Sequence, residues 1–90
     1  MKFTVVYHEK VVKEDIPKLD RPIKDRIKKA IETKLLAEPE KFGKPLRRSL
    51  KGYRKLRVGD YRVVFAIENE LIKILAIKHR SEVYKNKERF

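Results

Sequence analysis

The hydrophobic positions of this 90-residue chain change period partway along it, from helical to alternating. At the start, Lys2-Phe3-Thr4-Val5-Val6-Tyr7 is rich in β-branched and aromatic residues and holds no breaker, which predicts a strand over 2–7. Val12, Ile16 and Leu19 then fall at i, i+4 and i+7, one helical face, and predict a helix over 8–19 that Pro17 kinks or ends early. Asp20 fits the N-cap of a second helix, with Pro22 in its first turn. Ile23, Ile27, Ala30, Ile31 and Leu35 form its apolar stripe, and Lys24, Asp25, Lys28, Lys29 and Glu32 fill the opposite face. This helix ends by Pro39, and two prolines and a glycine make residues 37–49 a loop.

From about Leu50 the period is two. Tyr61, Val63, Phe65 and Ile67 alternate with Arg62, Val64, Ala66 and Glu68. Turns at Val58-Gly59-Asp60 and near Asn69-Glu70 cut this half into strands of about 52–57, 61–68 and 71–78, an antiparallel meander. The tail after Ser81 forms a short helix or frays. There is no internal repeat and no linker, so residues 1–90 read as one α+β domain: an N-terminal strand, a helical hairpin and a three-stranded meander completing one sheet.

Composition narrows the function classes. The chain has no cysteine, hence no disulfide framework or Cys-ligated metal, and its two isolated histidines argue against a metal site. No apolar run approaches the roughly 20 residues of a membrane span, and the N-terminus does not open a signal peptide; a cytoplasmic protein is expected. Charge changes the picture more. Lys and Arg number 25 against 13 Asp and Glu, a net +12 that calls for a polyanionic partner. The excess is local: residues 41–62 hold 9 basic residues and 1 acidic one, while residues 1–40 hold 10 and 8. Residues 78–90 add 5 basic against 2 acidic.

Strand geometry sharpens this. The row Tyr61, Val63, Phe65, Ile67 is expected to face the helices, and Leu56 must join it. Pairing Leu56 with Tyr61 achieves that and sets Lys55 opposite Arg62 on the solvent face, flanked by Tyr53 and Arg57. Opposed like charges cost up to about 1 kcal/mol. A solubilising face is the ordinary explanation of such a run, but no acid lies between Lys41 and Gly59, which favours an anion site. Lys78-His79-Arg80 would extend the cluster, and Tyr84 would bring an aromatic to its edge; cations beside an aromatic grip a phosphodiester and stack a base. No Ser-His-Asp arrangement, metalloprotease motif or glycine-rich phosphate loop competes. His79 fits a base or acid role only weakly.

The run Gly43-Lys44-Pro45-Leu46 followed by Leu56-Arg57-Val58-Gly59-Asp60-Tyr61-Arg62-Val63-Val64-Phe65 resembles the RelE/ParE superfamily of bacterial and archaeal toxins. The ending His79-Arg80-Ser81-Glu82-Val83-Tyr84 is similar to the RelE branch in particular. The resemblance implies a RelE-like microbial RNase-type fold. It implies a type II toxin that enters the ribosomal A site, at the small-subunit rRNA, and cuts mRNA by attack of a 2′-OH, with no metal and no cofactor. Carried over position by position, it gives Lys55, Arg62 and Tyr84 catalytic roles, has Lys78 or Arg80 aid the leaving oxygen, and matches Arg47 to a basic residue of the family; Tyr53, Arg57, Arg54 and His79 join the RNA-binding set by their places beside Lys55 and Lys78, although Arg54 points to the other face in this register. One position departs from the pattern: two residues before Lys55, where the family has a second lysine, this chain has Tyr53. The implied partner is a small acidic antitoxin, in a complex that includes a toxin–antitoxin heterotetramer among its forms. Two alternatives are a ParE-like inhibitor of DNA gyrase and an inactive RNA-binding domain of the same fold.

Overall fold

A computed structural model describes residues 3–45 and 52–85, with side chains through Glu82. The N-terminal strand β1 (Thr4–Tyr7) leads into a wide helical turn over Val11–Asp15 and a tight one over Ile16–Lys18, where Pro17 sits and the helix stops. Leu19 is extended (φ −89°, ψ 136°), and so is Asp20 (φ −67°, ψ 155°), whose carbonyl accepts the first turn's hydrogen bond from the Lys24 N–H. Helix α1 (Arg21–Ala30) carries Pro22 in its first turn and continues as a wide turn over Ile31–Leu35. Its stripe is buried as its spacing requires: Ile27, Ile31 and Leu35 lie in the core, with Ile23 and Ala30 packed at its margin.

The first helical segment buries Leu19 and packs Ile16 against the core as its spacing predicts, but not Val12. Val11, Asp15 and Leu19 point inward, while Val12 is 51% exposed. Val11 takes the place expected of Val12, and Asp15 turns inward to partners: its carboxylate accepts the Ile77 N–H at 2.9 Å and the Lys78 ammonium at 2.8 Å. The expected loop at 37–49 also contains structure. Pro39 starts rather than follows a helical turn, α2 (Pro39–Phe42), and a two-residue strand β2 (Lys44–Pro45) comes after it.

Strands β3 (Arg54–Val58), β4 (Tyr61–Glu68) and β5 (Leu71–His79) form the predicted antiparallel meander. The sheet order is β1-β5-β4-β3-β2, with β1 parallel to β5 and every other neighbour antiparallel. Val63, Phe65, Leu56 and Val58 of β3 and β4 pack with Ile72, Ile74 and Ile77 of β5 beneath the helices. A short helix, α3 (Arg80–Lys85), closes the described chain.

The β3–β4 register differs from the expected one. Val58 belongs to the strand, and the turn is only Gly59-Asp60, so Val58 pairs with Tyr61 and Leu56 with Val63. Gly59 takes a φ of 61°, the left-handed value that two-residue hairpin turns require and glycine supplies cheaply. The tighter turn also buries Val58, which the longer loop would have left in solvent. Which residues face the helices is unchanged; which cations oppose one another is not.

Candidate nucleic-acid interface

On the sheet face away from the helices, the register aligns three cations across three strands. Arg57 of β3 is opposite Arg62 of β4, and Arg62 is opposite Lys78 of β5. Lys55, expected opposite Arg62, instead pairs with Val64 on one side and with Lys44 of β2 on the other. Two parallel rows result: Arg57, Arg62, Lys78, and beside it Lys44, Lys55, Val64, Ala76. Val64 and Ala76 are buried, so the cations border an apolar floor. Lys44 was missed from sequence because its place depends on a strand contact eleven residues away.

Arg62 is the centre of this arrangement. It is only 8% exposed, yet its guanidinium Nη1 meets no carboxylate; it donates to the Tyr61 carbonyl at 3.1 Å and the Gly59 carbonyl at 3.4 Å. Among the described residues, Lys44, Lys55, Arg57 and Arg62 form no ion pair. A nearly buried guanidinium that opposes the unpaired Arg57 and has no carboxylate of its own is costly unless an anion is drawn to it. Backbone carbonyls fix its position while leaving its charge uncancelled.

The remaining candidates divide. Lys78 reaches sideways to the β5 edge, where Asp15 holds it. Arg54 belongs to the helix-facing side and donates to the Gly43 carbonyl at 2.8 Å, which corrects its assignment to the RNA-binding face: it anchors β2. His79 is opposite Tyr61, so it too faces the helix side, edge-on to the Tyr61 ring with centroids 5.3 Å apart. Its Nδ1 lies 3.0 Å from Ser81 Oγ, so the ring packs at the strand end instead of joining the cation rows. Arg80 lies past the strand end: its N–H donates to the Asp60 carbonyl and its exposed guanidinium is 4.0 Å from the Asp60 carboxylate. Tyr53 is half-buried just before β3, two residues from Lys55. Arg47 and the Tyr84 side chain lie outside the described residues, although Tyr84 falls within α3.

The helix side carries an apolar feature instead. Its apolar groove of about 150 Å³ is lined by Tyr7, Ile16, Leu19, Ile27, Ile31 and Ile77, with Lys24 and Lys28 beside it. Burial, and after it the Glu32 carboxylate, raise the Tyr7 phenol above its ordinary pKa of 10.0, so it stays protonated. Among the described residues no three His, Asp or Glu side chains converge as a metal site, and no helix is long and apolar enough to cross a membrane.

Comparison with known proteins agrees with this architecture. The profile of the ParE toxin of type II toxin–antitoxin systems, parDE, matches residues 5–84. The toxin RelE of Mycobacterium tuberculosis is 45% identical over 53 residues, which cover 57% of this chain and 55% of the relative, so the match spans about half the length of that protein. The crystal structure of the toxin–antitoxin complex RelBE2 from Mycobacterium tuberculosis contains a chain with 32% identity and a TM-score of 0.80. That match covers 89% of this chain and 100% of the other. The RelB–RelE complex from Methanococcus jannaschii contains the same fold at 23% identity, with a TM-score of 0.70 over 89% of this chain and 95% of the other.

Proposed function

The chain belongs to the RelE/ParE superfamily of type II toxins, on its RelE-like side, and from that premise we propose that it is a ribosome-dependent endonuclease cutting mRNA in the A site. The observation that supports this most is Arg62, a nearly buried cation with no carboxylate partner, centred between Arg57 and Lys78 on the sheet face away from the helical hairpin. A basic face with a nearly buried, unpaired centre suits a phosphodiester better than it suits water.

The reaction is the one that the family resemblance implies, and the cations suit it. The 2′-OH upstream of the scissile phosphate attacks phosphorus, a bond from the 2′-oxygen forms and the bond to the 5′-oxygen breaks. The products are a cyclic phosphate and a free 5′-OH. Negative charge grows on the non-bridging oxygens, where Arg62 and Arg57 stabilise it. Lys55, in the neighbouring row, assists loss of the 2′-OH proton, and Lys78 assists the leaving 5′-oxygen, which takes up a proton. An arginine holds its proton too tightly to be a good acid, so Arg80 contributes field rather than protons. Tyr84 stacks on or orients a base, and Tyr53 and Arg47 extend the RNA contact. Fixed cations supply the charge that a metal would otherwise bring, so chelation is expected to leave cleavage unchanged.

The partner in this reading is an acidic antitoxin, as the neighbouring structures are toxin–antitoxin complexes. Its charge would neutralise the face that residues 41–62 make basic, in a complex such as a heterotetramer. Induction of the chain alone is expected to stop growth and protein synthesis, and co-expression of the antitoxin to restore both. Trapped gyrase–DNA cleavage complexes with translation intact would instead select a ParE-type inhibitor.

A further inference from the structure

Asp15 is a carboxylate that the proposed chemistry leaves unused, yet its placement is specific. It is 5% exposed and comes from the opposite end of the chain to its two partners. β1 ends at Tyr7, opposite Ile74, so β5 runs on from there with an open edge. At that edge Asp15 Oδ2 accepts the Ile77 N–H at 2.9 Å. Its other oxygen, Oδ1, accepts the Lys78 ammonium at 2.8 Å. The Lys78 side chain is 26% exposed, against 5% for Asp15, so the end of the pair that solvent meets is the cation.

We propose that Asp15 is a positioning residue for Lys78: it holds the ammonium at the β5 end of the cation row, where the leaving oxygen must be met. This rests on the reading of the face as a nuclease site. A free lysine side chain has four rotatable bonds and samples many positions, whereas one clamped to a buried carboxylate presents a single one. The backbone hydrogen bond from Ile77 serves the same end, because it fixes the carboxylate that fixes the lysine. Edge-capping alone would need only one oxygen.

The test is Asp15→Asn. The amide oxygen still accepts the Ile77 N–H, but the amide nitrogen is a donor facing a donor, so Lys78 loses its anchor. Cleavage by programmed ribosomes is first established for the parent chain; absence of cutting there would overturn the functional reading, and this inference with it. With an active parent, Asp15→Asn is expected to lower turnover about ten- to a hundredfold with little change in the half-saturating ribosome concentration. Lys78→Met is expected to lower it similarly, and the double variant to be no worse than Lys78→Met alone. Parent-like turnover in Asp15→Asn, or losses that multiply in the double variant, would overturn the positioning role while leaving the nuclease intact. Should Asp15→Asn fail to fold, full turnover in Lys78→Met alone overturns it equally.

Discussion

Arg62→Ala is expected to reduce single-turnover cleavage of ribosome-bound mRNA by about a hundred- to a thousandfold, the usual loss when one fixed donor is removed from developing charge. The expectation rests on where Arg62 is held. Its guanidinium is nearly buried, and the Gly59 and Tyr61 carbonyls orient it without cancelling its charge. It therefore needs little reorganisation to meet a phosphate. Arg62→Lys keeps the charge but loses the planar fork, and should fall between parent and alanine. Thermal unfolding separates this loss from any loss of stability: removing Arg62 relieves its opposition to Arg57, worth a few tenths to about 1 kcal/mol, against the loss of its carbonyl contacts and buried stem. Arg62→Ala with a parent-like melting temperature and at least half the parent's cleavage rate would show that the row's centre is not the site.

Gly43→Ala is expected to cost stability far from any charge on phosphate, by about 1–3 kcal/mol or somewhat more. A Cβ at position 43 would land on the Phe65 ring, 2.7 Å from its Cε1 and closer still to Cζ, and 3.0 Å from the Pro39 carbonyl oxygen. Phe65 is fully buried among the core side chains, so the ring has nowhere to retreat. For a domain of this size each kcal/mol lowers the melting temperature by roughly 4–8 °C, which thermal unfolding resolves easily. Combining the change with Phe65→Leu should recover part of the loss, because the clashing ring edge is gone. The consequence reaches the site as well. Arg54 grips the Gly43 carbonyl, and the next residue is Lys44, which sits opposite Lys55. A displaced Gly43 loosens the outer end of the second cation row. Unchanged melting in Gly43→Ala would mean that the α2–β2 corner is packed differently.

These two residues also show where the sequence was readable. The β4 alternation and the α1 stripe are periodic along the chain itself, so the strand, the helix and their buried faces follow from local spacing. Arg62 emerged from the same alternation. What failed was whatever depended on a distant partner. The spacing predicts Val12 as a core residue, but Val11 takes its place beside Asp15, which pairs with Lys78, 63 residues away. A three-residue turn sets Lys55 opposite Arg62, but the burial of Val58 and the positive φ of Gly59 go with a shorter turn and a different register. Strand parity already sends Arg54 to the helix side, where it meets the Gly43 carbonyl; His79 follows it there, edge-on to Tyr61. The family resemblance supplied the chemistry, and the net charge of +12 supplied only the sign of the partner.

The most direct measurement maps mRNA 5′ ends on ribosomes stalled with a defined codon in the A site, with the parent chain and with Arg62→Ala added separately. The account predicts new 5′ ends within the A-site codon for the parent, none on the same mRNA free of ribosomes, and a loss of about two orders of magnitude with Arg62→Ala. Parent chain that folds and binds these ribosomes but produces no new ends would contradict it.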